Sequence, residues 1–198
     1  MGFRVSYIIT PIQPRDVVAP LGFRIGVETD ALPYDEWWVG TLKSNGMTVL
    51  WSEAEEFAAS VKSELAAMSK TAPVYACTVN ETVMSSDASC YQGGHKVWQV
   101  TWHGEDGINK ENLVATGALP DGFSEIRDRL TARQDAEQDA VDHMFEIPLE
   151  AVASIAGFRH DNDLTNGTFA RFFRITTADD VKTMKPVKRS LLAKIFGR

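Results

Sequence analysis

Apolar and polar positions alternate from the start of the chain. Phe3, Val5, Tyr7 and Ile9 alternate with Arg4, Ser6 and Ile8, the period-two spacing of a half-buried strand. Residues 14–21 suit a short helix, with Pro14 tolerated in its first turn. Phe23, Ile25 and Val27 then alternate as a second strand. Two further apolar runs, 37–42 and 47–51, flank Ser44-Asn45-Gly46, and Asn-Gly is the preferred pair of a type I′ hairpin turn.

A helix is expected from Ser52, where Ser52 and Glu55 have the spacing of a capping box. Phe57, Val61, Leu65 and Met68 fall on one of its faces, and it should end near Ser69, before Pro73. A run of strands follows. Tyr75, Cys77, Val79 and Val83 share one face, Gly93-Gly94 marks a turn, and Trp98, Val100 and Trp102 share a face of the next strand. Residues 113–119 fit one more. Trp98 and Trp102 are expected to be buried together, covered in part by Phe57, Val61 and Leu65.

Phe123, Ile126 and Leu130 open a second long helix that weakens over 133–140 and recovers at Val141 and Met144. Pro148 begins a short helix carrying Leu149, Val152 and Ile155, which Gly157 stops and Phe158 closes. Phe169, Phe173 and Ile175 read as a late strand. Strands thus come in hairpins and meanders instead of alternating singly with helices. That order predicts an α+β domain with a mainly antiparallel or mixed sheet, packed by two longer helices and short terminal ones. With no linker or internal repeat, residues 1–181 read as one domain and 182–198 as a tail.

Composition narrows the class. The chain has 198 residues with 44% hydrophobic side chains, so it can build a sizeable core and is not a disordered polymer. A net charge of −7 argues against a nucleic-acid partner, which would require a basic face. The first residues lack the apolar run of a signal peptide, which suggests a cytoplasmic protein. Cys77 and Cys90 form neither a metal pattern nor a disulfide framework, and are expected to be reduced and buried.

Catalytic motifs are sparse. His103-Gly104-Glu105 has the H-x-E form of zinc deaminases, but the P-C-x-x-C partner is missing. Asp161-Asn162-Asp163 hints at a calcium loop whose twelfth position is Phe172 instead of Glu. Ser85-Ser86-Asp87 reads as a polar loop, and His143 as part of a helix whose acidic face carries Asp135, Asp139 and Asp142. The sequence therefore predicts no metal site and no cofactor. Glu81 is the exception. In a strand continuing to Val83 it points at the core with Cys77 and Val79, so it needs either a cation such as Arg171 or Arg174, or an acid–base role beside His95, His103 or His160.

Charge is better organised than chemistry. Residues 182–198 hold six basic side chains and no acid, leaving the rest at −13 within the total of −7. Asp35 and Glu36 run directly into Trp37-Trp38, and Asp135, Asp139 and Asp142 lie in an acidic stretch without Lys or Arg. Acidic surface beside an aromatic anchor suits a basic protein partner. The leading expectation is a non-catalytic binding domain, of the immunity or antitoxin kind, with a small hydrolase built on Glu81 as the alternative. In the tail, Leu191, Leu192, Ile195 and Phe196 would gather on one side of a helix from Pro186, docked on the domain in preference to a membrane surface.

Overall fold

In the computed structural model, residues 2–29, 37–105, 107–137, 141–162 and 167–177 are described. Nine strands form one antiparallel sheet: β1 (Arg4–Thr10), β2 (Phe23–Thr29), β3 (Trp37–Leu42), β4 (Thr48–Ser52), β5 (Val74–Asn80), β6 (Ser85–Gln92), β7 (His95–His103), β8 (Leu113–Gly117) and β9 (Phe169–Thr177). Their spatial order is β2-β9-β3-β4-β1-β5-β6-β7-β8. The helices are α1 (Pro14–Val18), α2 (Phe57–Ser60), α3 (Lys62–Met68), α4 (Phe123–Glu137) and α5 (Glu146–Ala156). This is the α+β architecture that the run of hairpins predicts. The tail from residue 182 lies outside the described residues, so its docking is not placed.

Because alternate side chains of a strand point to opposite faces, the sheet carries two cores. On one face Tyr7, Trp38, Trp51, Cys77, Val79, Trp98, Val100 and Trp102 pack beneath Phe123 and Leu130 of α4 and Ile147, Leu149 and Val152 of α5. On the other, Ile8, Val39, Leu50, Val74 and Ala76 meet Val17 and Val18 of α1 and Phe57, Leu65 and Met68 of α2 and α3. Strand β1 lies near the centre and is buried from Val5 to Thr10, so its alternation marks two apolar faces and not a wet one. Tyr7, Trp51 and Trp38 are cross-strand neighbours on β1, β4 and β3. Their rings form a stacked row, with centroids 6.0 Å and 5.5 Å apart. Trp98 and Trp102 share the first core, as expected, but Phe57, Val61 and Leu65 cover the opposite face.

Local departures from the sequence reading have physical causes. Ser52 is the last residue of β4, where it pairs with Ser6 and Trp37, so the expected helix starts only at Phe57 and breaks at Val61, with φ −110° and ψ 26°. Its hydroxyl accepts from the Ala54 N–H at 2.9 Å instead of capping that helix. The β3–β4 loop is not a type I′ turn. Gly46 has φ 75° but Asn45 does not enter the left-handed region, and the Asn45 amide instead donates to the Ala156 carbonyl at 2.9 Å, tying the hairpin to the end of α5. The left-handed pair is Gly93-Gly94, with φ 65° and 91°, between β6 and β7. A register shift in β2 turns Val27 outward to 78% exposure. Another beside Leu42 puts Phe169 on the face opposite Phe173 and Ile175. Ser85-Ser86-Asp87 begins strand β6 and is not a loop. His143 lies beyond α4, buried in the turn before α5.

The aromatic row makes a stability prediction. Trp51→Ala should lower unfolding free energy by about 3–5 kcal/mol, whereas Val27→Ala should stay within about 0.5 kcal/mol. Urea denaturation followed by circular dichroism checks both.

Candidate functional site

Strand β5 ends at Asn80, whose side-chain oxygen accepts the Thr82 N–H at 3.0 Å and turns the chain out of the sheet. Glu81 therefore lies just beyond the strand end instead of on its core face. Two backbone-linked bonds hold it to the start of β1: its N–H donates to the Phe3 carbonyl at 2.9 Å, and its Oε2 accepts the Phe3 N–H at 2.8 Å. Met84 closes the turn in the left-handed region, at φ 51°. The remaining carboxylate oxygen, Oε1, lies 3.1 Å from His160 Nε2. His160 is 2% exposed and packs edge-on against Phe3 at 5.2 Å, while the Glu81 side chain keeps 30% exposure. An ionised carboxylate only accepts, so Nε2 carries the proton of this bond. His160 Nδ1 is buried with no protein partner.

Two shallow cavities meet here, both bordered by Gly2. One, of about 470 Å³, is lined by Phe3, Arg4, Trp51, Glu53 and Glu55. The other, of about 430 Å³, is lined by Glu81, Met84, Asp142, Phe145, Glu146, Arg159, His160 and Asp161. Six carboxylates thus face two guanidinium groups. Arg4 bonds Glu55 at 3.1 Å, and the other end of the cluster is held by Arg159, 3.0 Å from Asp161 and 3.8 Å from Glu146. Phe3, 42% exposed, lines the first cavity and packs against His160 of the second.

The other residues singled out from sequence scatter. His95, at the Gly93-Gly94 end of β7, is exposed and lies at the opposite end of the β5–β7 strands from Glu81. His103 ends β7 opposite Ser85 and lines a different groove. Neither Arg171 nor Arg174 pairs with Glu81, whose partner is His160; Arg171 is 4.0 Å from Glu28. Trp38 is 2% exposed and fixed in the aromatic row, and Trp37 packs against Phe23 and Phe57 at 4.9 and 4.6 Å. Neither indole is a free anchor. Asp142 is committed internally, accepting Trp102 Nε1 at 2.9 Å and the Phe145 N–H at 3.1 Å. Asp135, on α4, is exposed and paired with Lys110. Asp35, Glu36 and Asp139 lie outside the described residues.

Phe3, Glu53 and Arg159 were not foreseen as site residues. An aromatic residue at the mouth of an N-terminal strand and a lone Arg beside Asp161 carry no recognisable spacing. Among the described residues, no group of three or more His, Cys, Asp or Glu side chains is arranged to hold a metal ion, and no helix is long and apolar enough to cross a membrane. No family model, curated protein or solved structure matches this chain.

The thiols are held far from reactivity. Cys77 and Cys90 are free and buried, and burial pushes them up to about 12 and about 11 from an ordinary 9.0. The unfolded chain ionises both near pH 9 while the folded chain keeps its protons. The stability this contributes is complete below pH 9 and is lost as pH rises toward 11–12. The melting temperature should therefore fall above pH 9, and less steeply in Cys77→Ala once its pH 7 value is subtracted. Calorimetry across pH 7–11 measures this.

Proposed function

We propose that this chain is a non-catalytic binding domain whose acidic cavity pair around the start of β1 takes a basic segment of a protein partner. The observation that carries the reading is the gathering of six carboxylates in two cavities that share Gly2, beside the exposed ring of Phe3. Carboxylates accept from Lys or Arg, and a ring face attracts the same cations. Carboxylates in excess of their cations, as here where six face only Arg4 and Arg159, raise association rates and make them sensitive to salt. The acids of α4 are largely offset locally: Arg127 meets Asp128, Arg133 meets Glu137, and Lys110 meets Asp135. The partner surface thus moves from Trp37-Trp38, where the sequence suggested it, to Phe3 with Glu53, Glu55, Glu81, Glu146 and Asp161.

A hydrolase is the second reading, favoured by the 3.1 Å pairing of Glu81 with His160 inside a cavity. It ranks lower because both Glu81 oxygens are already occupied, by Phe3 and His160, and no Ser, Thr or Cys lines that cavity.

An arginine- and lysine-rich octapeptide should shift the amide resonances of Phe3, Glu53, Glu81 and His160, with an affinity that falls as salt rises. Glu53→Lys, at an exposed position, should weaken it several-fold without moving the melting temperature. Shifts centred on α4, or an unaffected Glu53→Lys, would contradict this surface. A hydrolytic activity abolished by Glu81→Gln would put the second reading first.

A further inference from the structure

Helices α1, α2 and α3 cover the second face of the sheet as far as β5 and β6, with α3 also reaching part of β7. Apart from Tyr91, which packs in the second core, β6 and β7 present a polar lattice on this face, because Ala88, Cys90, Trp98, Val100 and Trp102 point to the first core. The cross-strand rows are Thr78–Asp87–Thr101 and Ala76–Ser89–Gln99, with Ser85 opposite His103. Helices α2 and α3 wall one side with Ala58, Ala59 and Lys62, enclosing about 350 Å³. That volume falls within the range of about 300–1,000 Å³ typical of small-molecule sites.

The floor is ordered around one carboxylate. Asp87 Oδ2 accepts from both Gln99 Nε2 and Thr101 Oγ1, and Lys96 Nζ donates to Gln99 Oε1. This chain fixes the Asp87 rotamer and leaves Oδ1 with no protein partner among the described residues. The charge here is also unlike the rest of the molecule. Two lysines, Lys62 and Lys96, line the groove against Asp87 alone, whereas the cavities about Phe3 are dominated by carboxylates. Lys62, the first residue of α3, has no ion pair among the described residues.

We infer that this groove is a second, separate site, which binds a small polyhydroxylated molecule carrying one anionic group. Asp87 Oδ1 accepts a ligand hydroxyl, Ser85 and Thr78 bond neighbouring hydroxyls, and Lys62 meets the anionic group at the wall. A neutral polyol would leave Lys62 unused. A bare anion would face Asp87 with like charge and leave Ser85 and Thr78 without the sugar hydroxyls they bond.

The test is an isotope-edited amide titration of the whole protein with glucose 6-phosphate, gluconate, glucose and inorganic phosphate as separate probes. Glucose 6-phosphate, gluconate or both should shift Asp87, Gln99 and Thr101 with millimolar or tighter affinity, and the two together show whether the site takes phosphate or carboxylate. Glucose and phosphate alone should bind about tenfold more weakly or worse. Lys62→Ala, on an exposed helix start, should weaken the anionic sugar about tenfold, and so should the nearly isosteric Asp87→Asn. If no probe moves these resonances at tens of millimolar, the inference is overturned. It is equally overturned if glucose binds as well as the anionic sugars, if phosphate alone binds as well as they do, or if neither variant weakens binding. The acidic cavities about Phe3 play no part in this readout, so its failure would leave the partner surface untouched.

Discussion

The whole molecule depends on one strand having to be dry on both sides. Strand β1 places Tyr7 into one core and Ile8 into the other, and both side chains are fully buried. An antiparallel sheet usually leaves one face to water. Here the central strands need a layer above and a layer below. The chain supplies the first with α4 and α5 and the second with three short helices, 5, 4 and 7 residues long. Those short helices cannot reach across nine strands, so the sheet must become polar where they stop. It does so at β6 and β7, where, apart from Tyr91, serine, threonine, glutamine and aspartate replace the apolar residues of that face.

The same constraint places the acidic cavities. Strand β1 begins outside the helical cover, so its first residues are held by side chains instead of packing. Glu81 bonds both the Phe3 amide and His160, which joins the start of β1 to the segment following α5. Arg159, the next residue back, draws Glu146 and Asp161 into the same place. Negative charge therefore collects at this corner from distant parts of the sequence, Glu53 and Glu55, Glu81, Glu146 and Asp161. The acidic stretch that is conspicuous along the chain is dispersed in space. Asp135 is neutralised by Lys110, and Asp142 is spent on an indole.

Much of the fold was legible, and the misses share a cause. Turn chemistry and alternation located most of the strands, the Gly93-Gly94 turn and the end of α5 at Gly157, because those signals are local, but they ran β5 on to Val83 and left the start of β6 as a loop. Alternation gives the parity of a side chain but not what lies above it. Phe57 and Leu65 were thus assigned to the core of Trp98 when they cover the opposite face, and β1 read as half-wet. Bulges beside Val27 and Leu42 change parity with no mark in composition. The Ser52–Glu55 spacing suggested a helix start, yet cross-strand pairing to Ser6 held Ser52 in the sheet. Of the site, Glu81 was recognisable as a carboxylate out of place, but its partner lies 79 residues away. Phe3 became a site residue only once the turn after β5 had folded onto it.

Native-state amide hydrogen exchange tests the central claim, that the fold is organised around a strand buried from both faces. If it is, the hydrogen-bonded amides of β1, from Tyr7 to Ile9, will exchange only through global unfolding, with the highest protection in the protein. Those of the exposed edge strand β8 will exchange through smaller openings. Protection of β1 no greater than that of β8 would contradict the account.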